Sequence, residues 1–206
     1  MLKAENIYKS YGKKEVLKGA GITVAPGQIA ALVGKNGCGK STLIQILSGT
    51  LKPDRAEITF FGKNPLSDKR LFAKFIGYVP QDNPLFEELT VKYNLRFWAG
   101  GLKDTDRGVL KNFELEDIMK NKVSELSGGM KRRLAIACVI QRKPPIVILD
   151  EPTSSLDLFY QETIRAWMKD YAAHNGTVIL STHNEQEIEC ADSVWIFNDG
   201  RTDIRR

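Results

Sequence analysis

Nowhere in its 206 residues does the sequence hold an apolar run approaching the roughly 20 residues that a membrane-spanning helix needs. The longest candidates, such as Leu134 to Ile140, have the length of core segments, so no direct membrane span is expected. Met1 to Asn6 lack the apolar stretch of a secretory signal, which predicts a chain that stays in the cytosol. Cysteine is scarce. Cys38, Cys138 and Cys190 are odd in number, widely spaced and without a CxxC pair, which argues against a disulfide framework and against a zinc site. All three are read as free thiols. A concentrated basic surface is also missing: the net charge of +5 is scattered, with Lys131-Arg132-Arg133 and Arg205-Arg206 as its short groups, so nucleic acid is not an expected partner.

What is present describes a folded globular domain. Hydrophobic residues make up 42% and charged residues 27% of the chain, and its length suits a single domain. Leu2 to Tyr8 and Val16 to Val24 read as strands, with Tyr11-Gly12-Lys13-Lys14 turning between them. Ile29 to Val33 is a continuous apolar run, as expected of a strand covered on both faces, and leads through a glycine-rich turn into a helix from Lys40 to about Ser48. Short strands are predicted at Ile58 to Phe61 and Ile76 to Val79, and a helical stretch at Val91 to Ala99. The last third alternates: helix Gly129 to Gln141, strand Ile146 to Leu149, a helix with apolar positions from Leu156 to Tyr171, strand Thr177 to Ser181, helix Glu185 to Cys190 and strand Val194 to Phe197. Such alternation predicts an α/β fold with a parallel sheet, preceded by antiparallel strands and interrupted by a helical insertion.

Gly34-Lys35-Asn36-Gly37-Cys38-Gly39-Lys40-Ser41 fits GxxxxGK[ST] between a strand and a helix, where that motif belongs. Glycines let backbone N–H groups wrap phosphate oxygens, the helix start adds partial positive charge, and Lys40 neutralises terminal phosphates. Ser41 is placed to ligate magnesium. Ile146 to Leu149 carries Asp150 at its end, a carboxylate for the magnesium shell. Glu151, next to it, is left to accept a proton from attacking water. Cys38 sits inside the phosphate loop, either as a redox-sensitive thiolate or as a tolerated small residue.

Leu126-Ser127-Gly128-Gly129-Met130, opening a helix, resembles the LSGGQ signature of ABC ATP-binding proteins, with Met130 in place of glutamine. The order of segments from Leu2 to Arg201 resembles that cassette throughout. The resemblance implies a P-loop NTPase (RecA-like) parallel-sheet core, formed by residues 1–79 and 143–206 with the antiparallel N-terminal strands, and a helical part over 80–142 that carries the signature. It implies an ATPase taking ATP and Mg2+, with Lys40, Glu151 and His183 as catalytic groups and Ser41, Gln81 and Asp150 at the metal. Nucleotide contacts are implied for Tyr11, Val16, Gly34, Lys35, Asn36, Gly37, Cys38, Gly39, Lys40, Ser41, Thr42 and Gln81. From a second subunit they are implied for Ser127, Gly128, Gly129 and Asp157, because in this family each signature closes on the γ-phosphate held by the other copy. Alone, Tyr11 could equally be surface packing, and Asp157, within Ser155-Leu156-Asp157, would read as a helix cap. Arg55-Ala56 replaces the Ser-Gly usual before this strand, which bears on local turn geometry.

The partners implied are a second ABC ATPase subunit, identical or closely related and arranged head to tail, and transmembrane permease subunits. Location is then the cytoplasm, peripheral on the inner face of the membrane. Phe86, Phe97 and Trp98 are either an apolar socket for the permease or core of the insertion. The chain ends soon after its final strand without an appended regulatory domain, which favours an exporter over an importer. A soluble ABC ATPase acting on ribosomes or DNA would carry two cassettes or long coiled-coil insertions. A simple P-loop kinase would not need the signature, and a non-hydrolysing scaffold would not need Lys40, Asp150, Glu151 and His183 together.

Overall fold

The computed structural model describes residues 1–101, 106–154 and 156–205. Two sheets stack with a helix between them. The smaller is antiparallel, in the order β2-β1-β4, from β1 (Leu2–Tyr11), β2 (Lys14–Val24) and β4 (Arg55–Phe60). The larger runs β5-β6-β7-β3-β8-β9, from β5 (Ile76–Val79), β6 (Ile146–Asp150), β7 (Thr177–Ser181), β3 (Ile29–Val33), β8 (Ser193–Asn198) and β9 (Arg201–Ile204). Its first five strands are parallel and β9 pairs antiparallel to β8.

The central strands are buried on both faces and read as unbroken apolar runs for that reason. Their period of two sorts the side chains into layers. Ile146 and Ile148 of β6, Ala30 and Leu32 of β3 and Ile179 of β7 face α1 (Lys40–Ser48), whose Leu43, Ile44, Ile46 and Leu47 fill the space beneath the antiparallel sheet. Val147, Leu149, Val178 and Leu180 face the other way, onto α5 (Gly128–Ile140) and α6 (Leu158–Ala173), where Leu134, Ile136, Ile164 and Met168 pack. Three shorter helices complete the helical side: α3 (Val91–Trp98), α4 (Arg107–Asn112) and α7 (Glu185–Cys190). Side-chain oxygens accept an orphan N–H at the starts of α3 (Thr90), α5 (Ser127) and α6 (Asp157), whereas α1 starts from Gly39 without a side-chain cap.

Two glycines set how closely these layers approach. A Cβ on Gly77 of β5 would lie 2.6 Å from both Val139 Cγ1 and Pro144 Cγ, so glycine lets the C-terminal end of α5 sit directly on the sheet. A Cβ on Gly34 would lie 2.5 Å from the Phe197 carbonyl oxygen, so the phosphate-loop segment lies flat against β8. The helices on the far side are tied by Arg133, whose guanidinium stacks 3.7 Å from the Tyr160 ring while Nη1 donates to the Phe113 carbonyl at 2.9 Å; Tyr160 in turn donates to Glu114 at 2.6 Å.

The structure differs from the expected elements in several places. β1 continues to Tyr11, so the turn narrows to Gly12-Lys13, with Gly12 at φ +60°. α6 begins after the Asp157 cap, which leaves Leu156 outside the helix, buried in the turn before it. A short helix, α2 (Arg70–Phe75), the helix α4 and the edge strand β9 were not foreseen as separate elements. Arg55, at the replaced Ser-Gly position, opens β4 and lies 5.9 Å from the Tyr8 ring, and the pairing with β1 shifts register between Glu57 and Arg55, so the altered pair sits at an irregularity of the antiparallel sheet.

Candidate active site

The carboxyl ends of adjacent parallel strands converge on one cavity of about 620 Å³, the usual place for a ligand in an open α/β sheet. β3 delivers the glycine-rich turn and the first turn of α1, with Asn36, Gly37, Gly39, Lys40, Ser41 and Thr42 on the wall. β5 delivers Gln81, β6 delivers Asp150 and Glu151, and β7 delivers His183. Val16 lines the opposite wall and Ser154 the rim.

Lys40 is buried and folds back over its own turn: Nζ donates to the Gly34 carbonyl at 2.6 Å and the Lys35 carbonyl at 3.2 Å, and lies 3.3 Å from His183 Nε2. Its positive charge therefore stands at the neck of the cavity with the N-terminus of α1, which favours an anion there. Asp150 is buried and accepts from the Ser181 hydroxyl, while the Glu151 N–H donates to Ser181's carbonyl and hydroxyl oxygens. β7 thus fixes the turn that carries both acids. Glu151 sits in the left-handed region at φ +48°, a strained conformation for a side-chain-bearing residue. Its Oε1 is 3.5 Å from His183 Nε2. Burial pushes its carboxyl above the ordinary range, against the pull of His183 and Lys40 and with the push of Asp150. A carboxylate of raised proton affinity beside a histidine is a better proton acceptor than an exposed one. Ser41, Gln81 and Asp150 share this cavity and offer hard oxygen donors, so the donor set fits magnesium bound together with phosphate oxygens.

The remaining expected residues lie elsewhere. Gly34, Lys35 and Cys38 belong to the turn behind the wall, and Cys38 packs on the apolar layer beneath, as a small core-facing residue does. Tyr11 is half exposed at the tip of the first hairpin, outside the lining, with Lys9 Nζ 5.8 Å from its ring. Ser127 and Gly128 are exposed, away from the cavity, and nothing approaches within 4 Å of where a Gly128 Cβ would be. Ser127 Oγ accepts from the Met130 N–H at 3.3 Å, and Met130 packs on the core. Asp157 caps α6 through the Tyr160 N–H at 3.1 Å; Ser155 lies outside the described residues. His174, the other histidine, is exposed at the end of α6 and away from the cavity. The three aromatics divide: Phe86 and Phe97 stay exposed with ring centroids 4.7 Å apart, and Trp98 packs on the core.

Three residues near the cavity were not anticipated. Ser154 follows the acids on the rim and its hydroxyl donates to the Glu151 carbonyl at 3.2 Å. Arg132, read as part of a surface basic triplet, is buried and donates to backbone carbonyls of both the Gln81 and the Glu151 segments. Glu187 of α7 is buried and accepts from the hydroxyl of Thr182, the neighbour of His183. Ser154 was open to discovery from its place after the acids; the burial of Arg132 and Glu187 has no local signature.

Comparison with known proteins agrees with this geometry. The profile of a family described as ABC transporter matches residues 17–154. The linearmycin resistance ATP-binding protein LnrL of Bacillus subtilis (strain 168) is 36% identical, over 97% of this chain and 67% of its own. The Nod factor export ATP-binding protein I of Rhizobium sp. (strain N33) is 37% identical, over 95% and 67%. The sulfate/thiosulfate import ATP-binding protein CysA of Mesostigma viride is 36% identical, over 96% and 59%. The chain therefore spans about three fifths to two thirds of these relatives' length. Among solved structures, a dimeric post-hydrolysis ATP-binding cassette bound to ADP and Pi superposes with a TM-score of 0.90 at 26% identity, covering 100% of this chain and 98% of that one. An ATP-bound bacterial Atm1-family exporter gives 0.87 at 28% identity, covering 98% and 38%. Among the described residues no helix is long and apolar enough to cross a membrane.

Proposed function

The chain belongs to the ABC transporter family, and from that membership we propose that it binds and hydrolyses ATP as one half of a head-to-tail dimer that drives membrane-embedded permease subunits. The observation that carries the reading is the convergence of Lys40, Ser41, Gln81, Asp150, Glu151 and His183 on one cavity while the signature Ser127 faces open solvent away from it. An anion cradle and a second, solvent-exposed helix start on the same molecule support sites completed by a partner copy, and solved relatives include dimers.

In this reading the 34–42 turn and Lys40 hold the phosphates, and Tyr11 and Val16 border the base. Ser41, Gln81 and Asp150 hold magnesium, which supplies charge neutralisation to the phosphate oxygens. Glu151 takes the proton of a water attacking the terminal phosphorus as the bond to the ADP oxygen breaks, and His183 holds Glu151 and the terminal phosphate in register. Ser127, Gly128, Gly129 and Asp157 of one copy meet the nucleotide of the other. Residues 1–79 and 143–206 act as the catalytic core and 80–142 as the part that answers the permease, through Gln81 and the exposed Phe86–Phe97 pair. The protein then works peripherally on the cytoplasmic face of the membrane. Relatives named for export and for import both match, so the export expectation gains no support over import and the permease sets direction.

The decisive test is Glu151→Gln. It should keep ATP affinity within about threefold while lowering turnover about 100-fold to 10,000-fold, the range removed with a general base. Turnover at the parent rate would refute the assignment.

A further inference from the structure

Arg132 lies on the signature helix, one and a half turns from Ser127, and is 3% exposed. Its hydrogen bonds go mostly to main-chain carbonyls. The guanidinium forks between the ends of two neighbouring strands. Nη1 donates to the Pro80 carbonyl at 2.5 Å, the Gln81 carbonyl at 3.3 Å and Asn83 Oδ1 at 3.4 Å, all just beyond β5. Nη2 donates to the Asp150 carbonyl at 2.6 Å and the Glu151 carbonyl at 3.2 Å, and Nε to the Pro152 carbonyl at 3.1 Å, all at the end of β6. One rigid, planar group thus sets the peptide planes on both sides of the site.

We propose that Arg132 is the positioning residue that couples the signature helix to catalysis, holding the Gln81 loop and the Glu151 turn in register with α5. Three observations support it. The Glu151 turn is strained at φ +48° and needs an external restraint to persist. Arg132's partners include the main-chain oxygens of Gln81, Asp150 and Glu151, residues that carry site side chains, so moving α5 moves both segments. Arg133, its neighbour and equally buried, spends its donors on Phe113 and Glu114 and does not reach the site, which supplies an internal control. A bridge of this kind gives a signature that has docked on a partner's phosphate a mechanical route to its own subunit's base. The inference rests on the ATPase reading above.

The test compares Arg132→Lys, Arg132→Met and Arg133→Met with the parent chain. An ammonium can serve one strand end but not both, and a thioether serves neither. Arg132→Lys should lower kcat about tenfold and Arg132→Met about 100-fold, the scale set by an ångström of misplacement, while KM for ATP and MgADP affinity by calorimetry stay within about threefold. Amide hydrogen exchange at residues 81–83 and 151–154 should accelerate in both. Arg133→Met should lower thermal stability yet keep kcat within about twofold, because it leaves the fork intact. Should Arg132→Met fail to fold, Arg132→Lys decides. Parent-like kcat in the Arg132 variants, or a kcat loss matched by Arg133→Met, overturns the coupling role. A parent chain that neither binds MgADP nor turns over ATP overturns the ATPase reading instead.

Discussion

Removing the Glu187 carboxylate tests whether the loop carrying His183 is held from behind. Glu187 is 1% exposed and its Oε2 accepts from the Thr182 hydroxyl, with Thr153, two residues after Glu151, and Arg165 also acting on its carboxyl. Thr182, Thr153 and Arg165 are themselves buried. Glu187→Ala therefore leaves the buried Thr182 hydroxyl without its acceptor and an empty volume where the carboxylate stood. Leaving a buried polar group unsatisfied costs about 1–3 kcal/mol. For a chain of this size each kcal/mol shifts Tm by about 2–4 °C, so calorimetry should show a fall of at least about 2 °C. Glu187→Gln keeps an acceptor and isolates the charge. Burial, the largest influence, raises the Glu187 carboxyl above 4.5; Thr182 and Thr153 pull it down, Glu151 pushes it up and Arg165 pulls it down. The folded state thus binds this proton more readily than the unfolded chain. The stability it contributes is complete below about pH 4.5 and lost as pH rises through the folded value. The Tm of Glu187→Gln minus that of the parent should accordingly become more positive as pH rises through that window toward neutrality. A flat difference, or an alanine variant melting with the parent, would refute the buried-anchor account.

Two further outcomes bear on the site itself. Ser127→Arg should abolish ATP-induced dimerisation of the hydrolysis-deficient chain while monomeric ATP binding persists; an ATP-dependent dimer surviving in gel filtration would contradict a signature that acts across subunits. Tyr11→Ala should weaken ATP affinity by up to about tenfold in a titration and Tyr11→Phe should not, since an aromatic contact is worth roughly 0.5–1.5 kcal/mol. Equal affinity in all three would return Tyr11 to the hairpin surface.

Much of this architecture was legible because its determinants are local. The phosphate turn is contiguous, and glycine and lysine there are dictated by what the backbone must do within eight residues. β3, β6 and β7 announce themselves as apolar runs because both their faces are covered. The helices beginning at Val91 and Glu185 follow Thr90 and Asn184, whose capping oxygens can be recognised in the sequence. The missed elements give weaker signals. α4 is capped by Asp106 but spans only six residues, and α2, also six residues, half-buries only Leu71, Phe72 and Phe75, too short a run to establish a helical period. β9 is an edge strand with exposed Arg201, Asp203 and Ile204, and its existence depends on β8 lying alongside. Arg132 was misread for the same reason in reverse: a charge in a basic triplet is normally solvated, and the carbonyls that satisfy this one come from segments about 20 and 50 residues away.

The contact at Gly77 turns α5 into a lever. Its far end is pressed on the sheet with no room for even a methyl group, while Ser127 projects into open solvent at the near end. Thirteen residues give an arm of roughly 20 Å, so a tilt of about 10° about that fulcrum swings Ser127 by about 3 Å while the wedge at Val139 scarcely shifts. A displacement of that size is a whole hydrogen-bond length, enough to separate a signature that grips from one that has let go.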